Sequence, residues 1–345
     1  MNAVIRAVVK TARHEYGIEV FGIEDGYEGL LQKRGRFITS EDVSGILTHG
    51  GTILGTSNTS NPFKVLDEKN KKIIFRDHSE LAVKNFQDWE LDALIIVGGD
   101  GTLSSAKKFA DKGLPVVGIP KTIDNDLEGT DFTFGFHTAV STATDAVDRL
   151  HTTAASHHRV MILEVMGRNA GWIALHSGAA GGADIILIPE IPFKRRIVYK
   201  EVLARANQGK RFSIIVTAEG AFESGGKVIV KSRDLKNPYP IKLGGIGNQL
   251  AQDIEKNTGI EARAAVLGHI QRGGSPTAFD RNLGTLFGVH AVKILKQGKT
   301  GRMVCLRGQN ISSIPLRSAV SHLKKVPLNH PLVLSCKAVG TSFGS

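Results

Sequence analysis

The 345-residue chain is poor in cysteine, with only Cys305 and Cys336, and aromatic residues make up only 6% of it. So few thiols argue against a disulfide-stapled scaffold and leave a reducing cytoplasm as the expected setting. No apolar run approaches the eighteen or so residues of a membrane span and no signal-peptide pattern is present, so no membrane role is expected. Low-complexity tracts, tandem repeats and Pro-rich or Gly/Ser linkers are missing as well, which excludes solenoids and leaves abutting domains. Lys and Arg (44) outnumber Asp and Glu (33), for a formal charge of +11. The basic residues are scattered, though, and clusters such as Lys194-Arg195-Arg196 read as solvated surface. Nucleic-acid binding is therefore not expected.

What is present is an alternation of strand-like and helix-like segments. Continuous apolar runs at 93–97, 114–119, 159–165, 185–188, 213–218 and 262–267 read as strands covered on both faces, and 19–22 as a short strand. Periodicity predicts helices over 1–13, 103–112 and 137–154, the last rich in small residues. The fold class is α/β.

The first two long runs each end in a loop loaded with glycine, hydroxyl and carboxylate groups. Ligands of open α/β sheets bind at such carboxyl ends. In Gly98-Gly-Asp-Gly-Thr102, the glycines Gly98, Gly99 and Gly101 let backbone amides face a phosphate, while Asp100 is a candidate metal ligand. In Pro120-Lys-Thr-Ile-Asp-Asn-Asp126, the Thr122 hydroxyl and Lys121 ammonium can reach phosphoryl oxygens, and Asp124 and Asp126 suggest a general base and a metal ligand. Carboxylates need a cation between themselves and phosphate, or a proton to remove; Mg²⁺-dependent phosphoryl transfer satisfies both needs. Met166-Gly167-Arg168 follows another strand. His269 and Arg272 lie on a Gly-rich turn that would suit a sugar phosphate. Arg263, read as buried in a strand, points to an anion or a carboxylate. Gly298-Lys-Thr300 lacks the first glycine of a P-loop, and no dinucleotide-binding glycine fingerprint follows a strand.

These motifs, with Met1-Asn-Ala-Val-Ile-Arg6, Gly50-Gly-Thr-Ile-Leu-Gly55, the Pro189-Glu190 pair and Leu267-Gly-His-Ile-Gln-Arg-Gly-Gly-Ser-Pro276, resemble the phosphofructokinase family over nearly the whole chain. The resemblance implies two doubly wound, Rossmann-like α/β domains with the active site between them. The expected division is a donor-binding domain at 1–135, to which about 271–300 returns, and a fructose-6-phosphate domain at 136–270 with about 301–345. It implies transfer of a phosphoryl group from ATP to the 1-hydroxyl of fructose 6-phosphate, with Mg²⁺, in a homotetramer or homodimer. Asp124 matches the family's general base; Asp100, with Asp126, matches the metal carboxylates; Thr122 and Arg168 match the groups on the transferring phosphoryl. Gly98, Gly99, Gly101, Thr102 and Lys121 fall at donor-binding positions. Met166, Gly167, Glu219, His269 and Arg272 match the sugar-phosphate pocket with Thr122, Asp124 and Arg168, and Arg159 and Arg263 would reach it from a neighbouring subunit.

Pyrophosphate is the alternative donor: Gly101 resembles ATP users and Lys121 pyrophosphate users, and the steric argument at Gly101 favours ATP. Asn58 replaces an arginine of many ATP enzymes. A non-catalytic sugar-phosphate-binding subunit is the remaining alternative. Family members carry a strand and a TSGGDxxG-like loop ahead of the segment that begins here at Met1. The expectation is a start placed late, with two neighbouring strands left unpaired without that strand.

Overall fold

The computed structural model describes residues 1–57, 59–69, 72–233 and 240–345; Asn58 lies outside them. The N-terminal part forms helices α1 (Asn2–Tyr16), α2 (Tyr27–Gln32) and α3 (Ser79–Asp88). It also forms two hairpins, β1–β2 (Phe21–Ile23 with Gly35–Phe37) and β3–β4 (Val65–Lys69 with Lys72–Arg76). Strand and helix then alternate: β5 (Leu94–Gly98), α4 (Asp100–Asp111), β6 (Val116–Pro120), α5 (Phe136–His157), β7 (Val160–Val165), α6 (Trp172–Ala180), β8 (Ile185–Leu187), α7 (Arg195–Asn207) and β9 (Ser213–Ala218). A hairpin β10–β11 (Val230–Arg233 with Ile241–Leu243) precedes α8 (Ile246–Thr258), β12 (Ala262–Val266) and α9 (Ala278–Lys296). The chain closes with β13 (Arg302–Arg307), β14 (Asn310–Pro315), α10 (Leu316–Ala319) and α11 (Pro331–Ala338). Among the described residues no helix is long and apolar enough to cross a membrane.

Two four-stranded sheets organise the cores. One has the order β14-β13-β6-β5, parallel except for β14; the other is β12-β7-β9-β8, parallel throughout. Successive side chains of a strand point to opposite faces, and each sheet fills two cores accordingly. Val160 and Ile162 of β7 meet α7 and α8, while Leu163 and Val165 meet α5 and α6. In the other sheet Val116 and Met303 face α4, and Val117 and Val304 face α1 and α9. Covered faces explain why these strands read as unbroken apolar runs.

The C-terminal stretch does not all join the second half, as the sequence reading had it. Residues 302–315 complete the first sheet through β13, while Val326, Val333, Cys336 and Phe343 pack in the core of α5 and α6. The alternation in 302–307 fits either sheet, so only the β6–β13 pairing decides its place. Among the described residues β5 pairs with β6 alone, and β1 with β2 alone. The helix expected at 1–13 runs three residues further, to Tyr16, where the left-handed backbone of Gly17 (φ 61°) ends it.

Helix α1 approaches α9 closely because two glycines leave room. A Cβ on Gly288 would lie 2.7 Å from the Ala7 Cβ and 3.0 Å from the Val4 carbonyl oxygen. Gly288→Val should therefore push the helices apart and cost about 1–3 kcal/mol, as overpacking does. The check is the urea midpoint, which should fall with the slope unchanged.

Candidate active site

β5 and β6 run side by side in register from Leu94 and Val116 to Gly98 and Pro120, so both glycine- and carboxylate-bearing loops leave the same edge. The Lys121 amide donates to the Gly98 carbonyl (2.9 Å), extending that pairing by one residue. Gly98 is needed because Thr102 packs over it: a Cβ there would sit 2.4 Å from the Thr102 Cβ. Gly99 caps α4, and Asp100 opens its first turn. Beside Asp100 lies a cavity of about 200 Å³ lined by Asn61, Lys64, Gly101, Ser104, Ser105 and Lys108. Gly101, Ser104, Ser105 and Lys108 stand at i, i+3, i+4 and i+7, one face of α4. That spacing was readable in the sequence behind the GGDGT loop and was missed.

In the second loop, the Thr122 hydroxyl accepts from the Asp124 amide (3.1 Å), and the Thr133 hydroxyl donates to the Thr122 carbonyl (2.8 Å). Asn125 adopts left-handed backbone (φ 51°), is buried, and accepts from the Thr133 amide through Oδ1. The turn leaves Asp124 and Asp126 close enough for their charges to interact. Their Oδ1 atoms are enclosed and have no hydrogen-bond partner. Burial drives the Asp124 carboxyl up to about 6, opposed by Arg272 and reinforced by Glu219. Burial, then repulsion from Asp124, drives Asp126 up to about 7, with Asp100 adding to it. Burial also raises Asp100, opposed by Arg168, and lowers Lys121, as does the Arg272 charge.

The opposing wall comes from the second sheet. Gly167 and Arg168 follow β7 with positive φ (143° and 51°). The Arg168 amide donates to Glu219 Oε1 (3.1 Å), and the Met166 amide to Gln271 Oε1 (2.9 Å). A Cβ on Gly220 would lie 1.9 Å from the Arg168 carbonyl oxygen, so no other residue fits there without moving that loop. Burial raises the Glu219 carboxyl. His269 and Arg272 lie exposed on a 3-10 turn, Gly268–Arg272, and the Arg272 charge acts on Asp124, Lys121 and Glu219. Gln271, which fixes Met166 from that turn, carried no sequence signal.

Two candidates lie elsewhere. Arg159 precedes the first residue of β7, whereas Met166–Arg168 follow its last, which puts them about 20 Å apart at a strand's rise per residue. Arg263 is not buried as expected; it sits exposed on β12, the edge strand, where the guanidinium can reach solvent. Arg159 pairs with Glu261 (2.5 Å), and Arg263 with Glu261 (2.6 Å) and Glu255 (3.0 Å). The part of the Arg263 expectation that stands is the carboxylate partner. A larger cavity of about 490 Å³, lined by His158, Arg205, Lys210 and Arg211 among others, lies at the amino end of β9, away from these loops.

Glycine loops and enclosed carboxylates at the carboxyl edge of a parallel sheet define an α/β protein built to handle phosphoryl groups. Within that class the match is particular. The family model described as Phosphofructokinase covers residues 1–295, and the chain belongs to that family. It is 50% identical over 347 residues to the ATP-dependent 6-phosphofructokinase 2 of Clostridium perfringens, covering 99% of this chain and 94% of the relative. It is 51% identical over 345 residues to the ATP-dependent 6-phosphofructokinase of Chloroflexus aurantiacus, covering 100% and 94%. A crystal structure of Pichia pastoris phosphofructokinase in the T-state superposes with a TM-score of 0.78 at 32% identity; the match takes in 93% of this chain and 34% of that longer one.

The raised carboxyls set a stability cost with a defined sign. A carboxyl pushed above its unfolded value binds its proton more tightly in the folded state, so stability falls as pH rises through the window from about 4 to 6 for Asp124. Asp124→Asn should therefore raise Tm at pH 8 in metal-free buffer, and the gain should vanish by pH 4. Differential scanning fluorimetry across that range is the check.

Proposed function

We propose that the chain transfers the γ-phosphoryl group of ATP to the 1-hydroxyl of fructose 6-phosphate in the cytoplasm. The single observation that carries the mechanism is the enclosed Asp124 carboxylate beside the glycine loop, whose Oδ1 has no hydrogen-bond partner. The sugar hydroxyl oxygen attacks the γ-phosphorus, its proton passes to Asp124, and the bond to the bridging oxygen breaks. The products are fructose 1,6-bisphosphate and ADP. A carboxyl near 6 is largely ionised at neutral pH yet basic enough to take that proton. Arg168 and Thr122 offset charge on the moving phosphoryl group, and Lys121 the charge on the leaving phosphates. Met166, Gly167, Glu219, His269 and Arg272 form the sugar-phosphate pocket.

Mg²⁺ fits the donor set. Asp126 Oδ1 is an enclosed oxygen with no partner, and Asp100 stands at the mouth of the cavity beside Gly101. Among the described residues no three His, Cys, Asp or Glu side chains form a closed cage. Mg²⁺ needs none: it binds through one or two carboxylates and completes its shell with water and substrate phosphates. Bound there, it would neutralise phosphate oxygens.

ATP as donor is supported by the ATP dependence in the names of the relatives from Clostridium and Chloroflexus and by the room beside Gly101. A coupled assay for fructose 1,6-bisphosphate should show turnover with ATP and Mg²⁺ and none with pyrophosphate; the reverse would replace the donor. Asp124→Ala should lower kcat by about 10²–10⁴, with KM for fructose 6-phosphate little changed.

Arg159 and Arg263 face outward at the amino ends of β7 and β12, far from this chain's own loops. We assign them to the sugar-phosphate pocket of an adjoining subunit in a homo-oligomer. Mixing unfolded Arg263→Ala and Asp124→Ala chains and refolding them together should restore activity that neither has alone. Failure to restore it would place Arg263 outside any active site.

A further inference from the structure

We propose that residues 323–326 are a tie that sets the spacing between the two catalytic walls, with Lys324 as a positioning residue for the phosphoryl transfer. The proposal rests on the assignment of Asp124 as base and Arg168 as phosphoryl-contacting group. The segment lies beyond residues 1–295, the part matched by the family model.

Every polar group of Lys324 is used on one wall or the other. Its amide donates to the Asp126 carbonyl (2.8 Å), beside a bridge between Leu127 and Leu323. Its ammonium donates to Asn125 Oδ1 (3.1 Å) and to the carbonyls of Thr130 (2.8 Å) and Asp131 (2.9 Å). An ammonium has three protons, and three acceptors take them. These bonds close the turn in which Asn125 is left-handed, and so hold Asp124 and Asp126 in their orientation. Its carbonyl accepts from Trp172 Nε1 (3.0 Å), and its ammonium lies 5.3 Å from the centre of that indole ring.

Trp172 opens α6, four residues after Arg168. Two residues along the tie, the Val326 amide donates to Glu190 Oε1 (2.9 Å), and the same carboxylate accepts from the Gly171 amide (3.0 and 3.1 Å). One short strand of chain thus grips the carboxylate turn from the first sheet and the foot of the Arg168 loop from the second. An in-line displacement needs its groups placed to within a fraction of an ångström. Lys324 touches neither substrate nor reacting atoms; it acts through Asp124 and Arg168.

The test is a double-mutant cycle in the full chain. Lys324→Met keeps the stem and removes the charge and three hydrogen bonds. We expect kcat to fall about tenfold to a hundredfold, KM for fructose 6-phosphate to change less than about threefold, and Lys324→Arg to recover part of the loss. Because part of the effect acts through the base, Lys324→Met should cost less in Asp124→Ala than in the parent chain. Additive losses, or an unchanged kcat in Lys324→Met, overturn the tie. Full activity in Asp124→Ala overturns the assignment of the base instead, and with it the coupling claimed here. Should Lys324→Met not fold, Trp172→Phe removes the indole donor while keeping an aromatic ring: a several-fold fall in kcat at unchanged Tm supports the tie, and an unchanged kcat overturns it.

Discussion

Parallel pairing of β5 with β6 is the constraint from which the site follows. Strands about 4.8 Å apart, in register up to Gly98 and Pro120, deliver a glycine loop and a carboxylate loop to one edge with no insertion needed. The covering helices then remove water from that edge. What results is an electrostatic trap made from ordinary residues: carboxylates too enclosed to be comfortable, with lysine and arginine charges close enough to act on them. The cost of enclosing Asp124 and Asp126 is carried by cores that lie elsewhere, on both faces of both sheets.

The second wall is held by backbone more than by side chains. Arg168 is fixed by its own left-handed conformation, by a hydrogen bond from its amide to the Glu219 carboxylate, and by the absence of a side chain at Gly220. The Arg168 main chain thus answers to the fold, and what its side chain meets is set separately. The same division appears at Asn125, whose strained backbone serves the carboxylates on either side of it.

Much of this was legible in the sequence, for identifiable reasons. Apolar runs such as 213–218 announced buried strands because both faces are covered, and the strand lies at those residues. The loops after 93–97 and 114–119 were readable because only glycine, hydroxyl and carboxylate residues suit a phosphate site at a strand end. Long-range partners were not readable. Nothing local in Lys324, Gln271 or Glu190 tells which amide each will meet, since those bonds span from 19 to 199 residues. Arg263 misled for a related reason: an apolar run does not say whether its strand is central or at the edge, and β12 is at the edge. The place of 302–315 likewise depends on pairing with β6, a contact between distant stretches.

The close fit of α1 against α9 also bears on how the molecule is made. The glycine face that receives α1 lies some 280 residues later in the chain, and β13, the neighbour of β6, later still. On a ribosome adding about 5–20 residues per second, the apolar stripe of α1 waits roughly 15 to 60 seconds for its partner. The second sheet takes all its strands from residues 160–266, so their pairing waits for a shorter stretch, with Val326, Val333, Cys336 and Phe343 added to its core last. Nascent chains should therefore acquire their later-synthesised half first, and the elements that emerge earliest should be the last to settle and the ones most dependent on chaperones during synthesis.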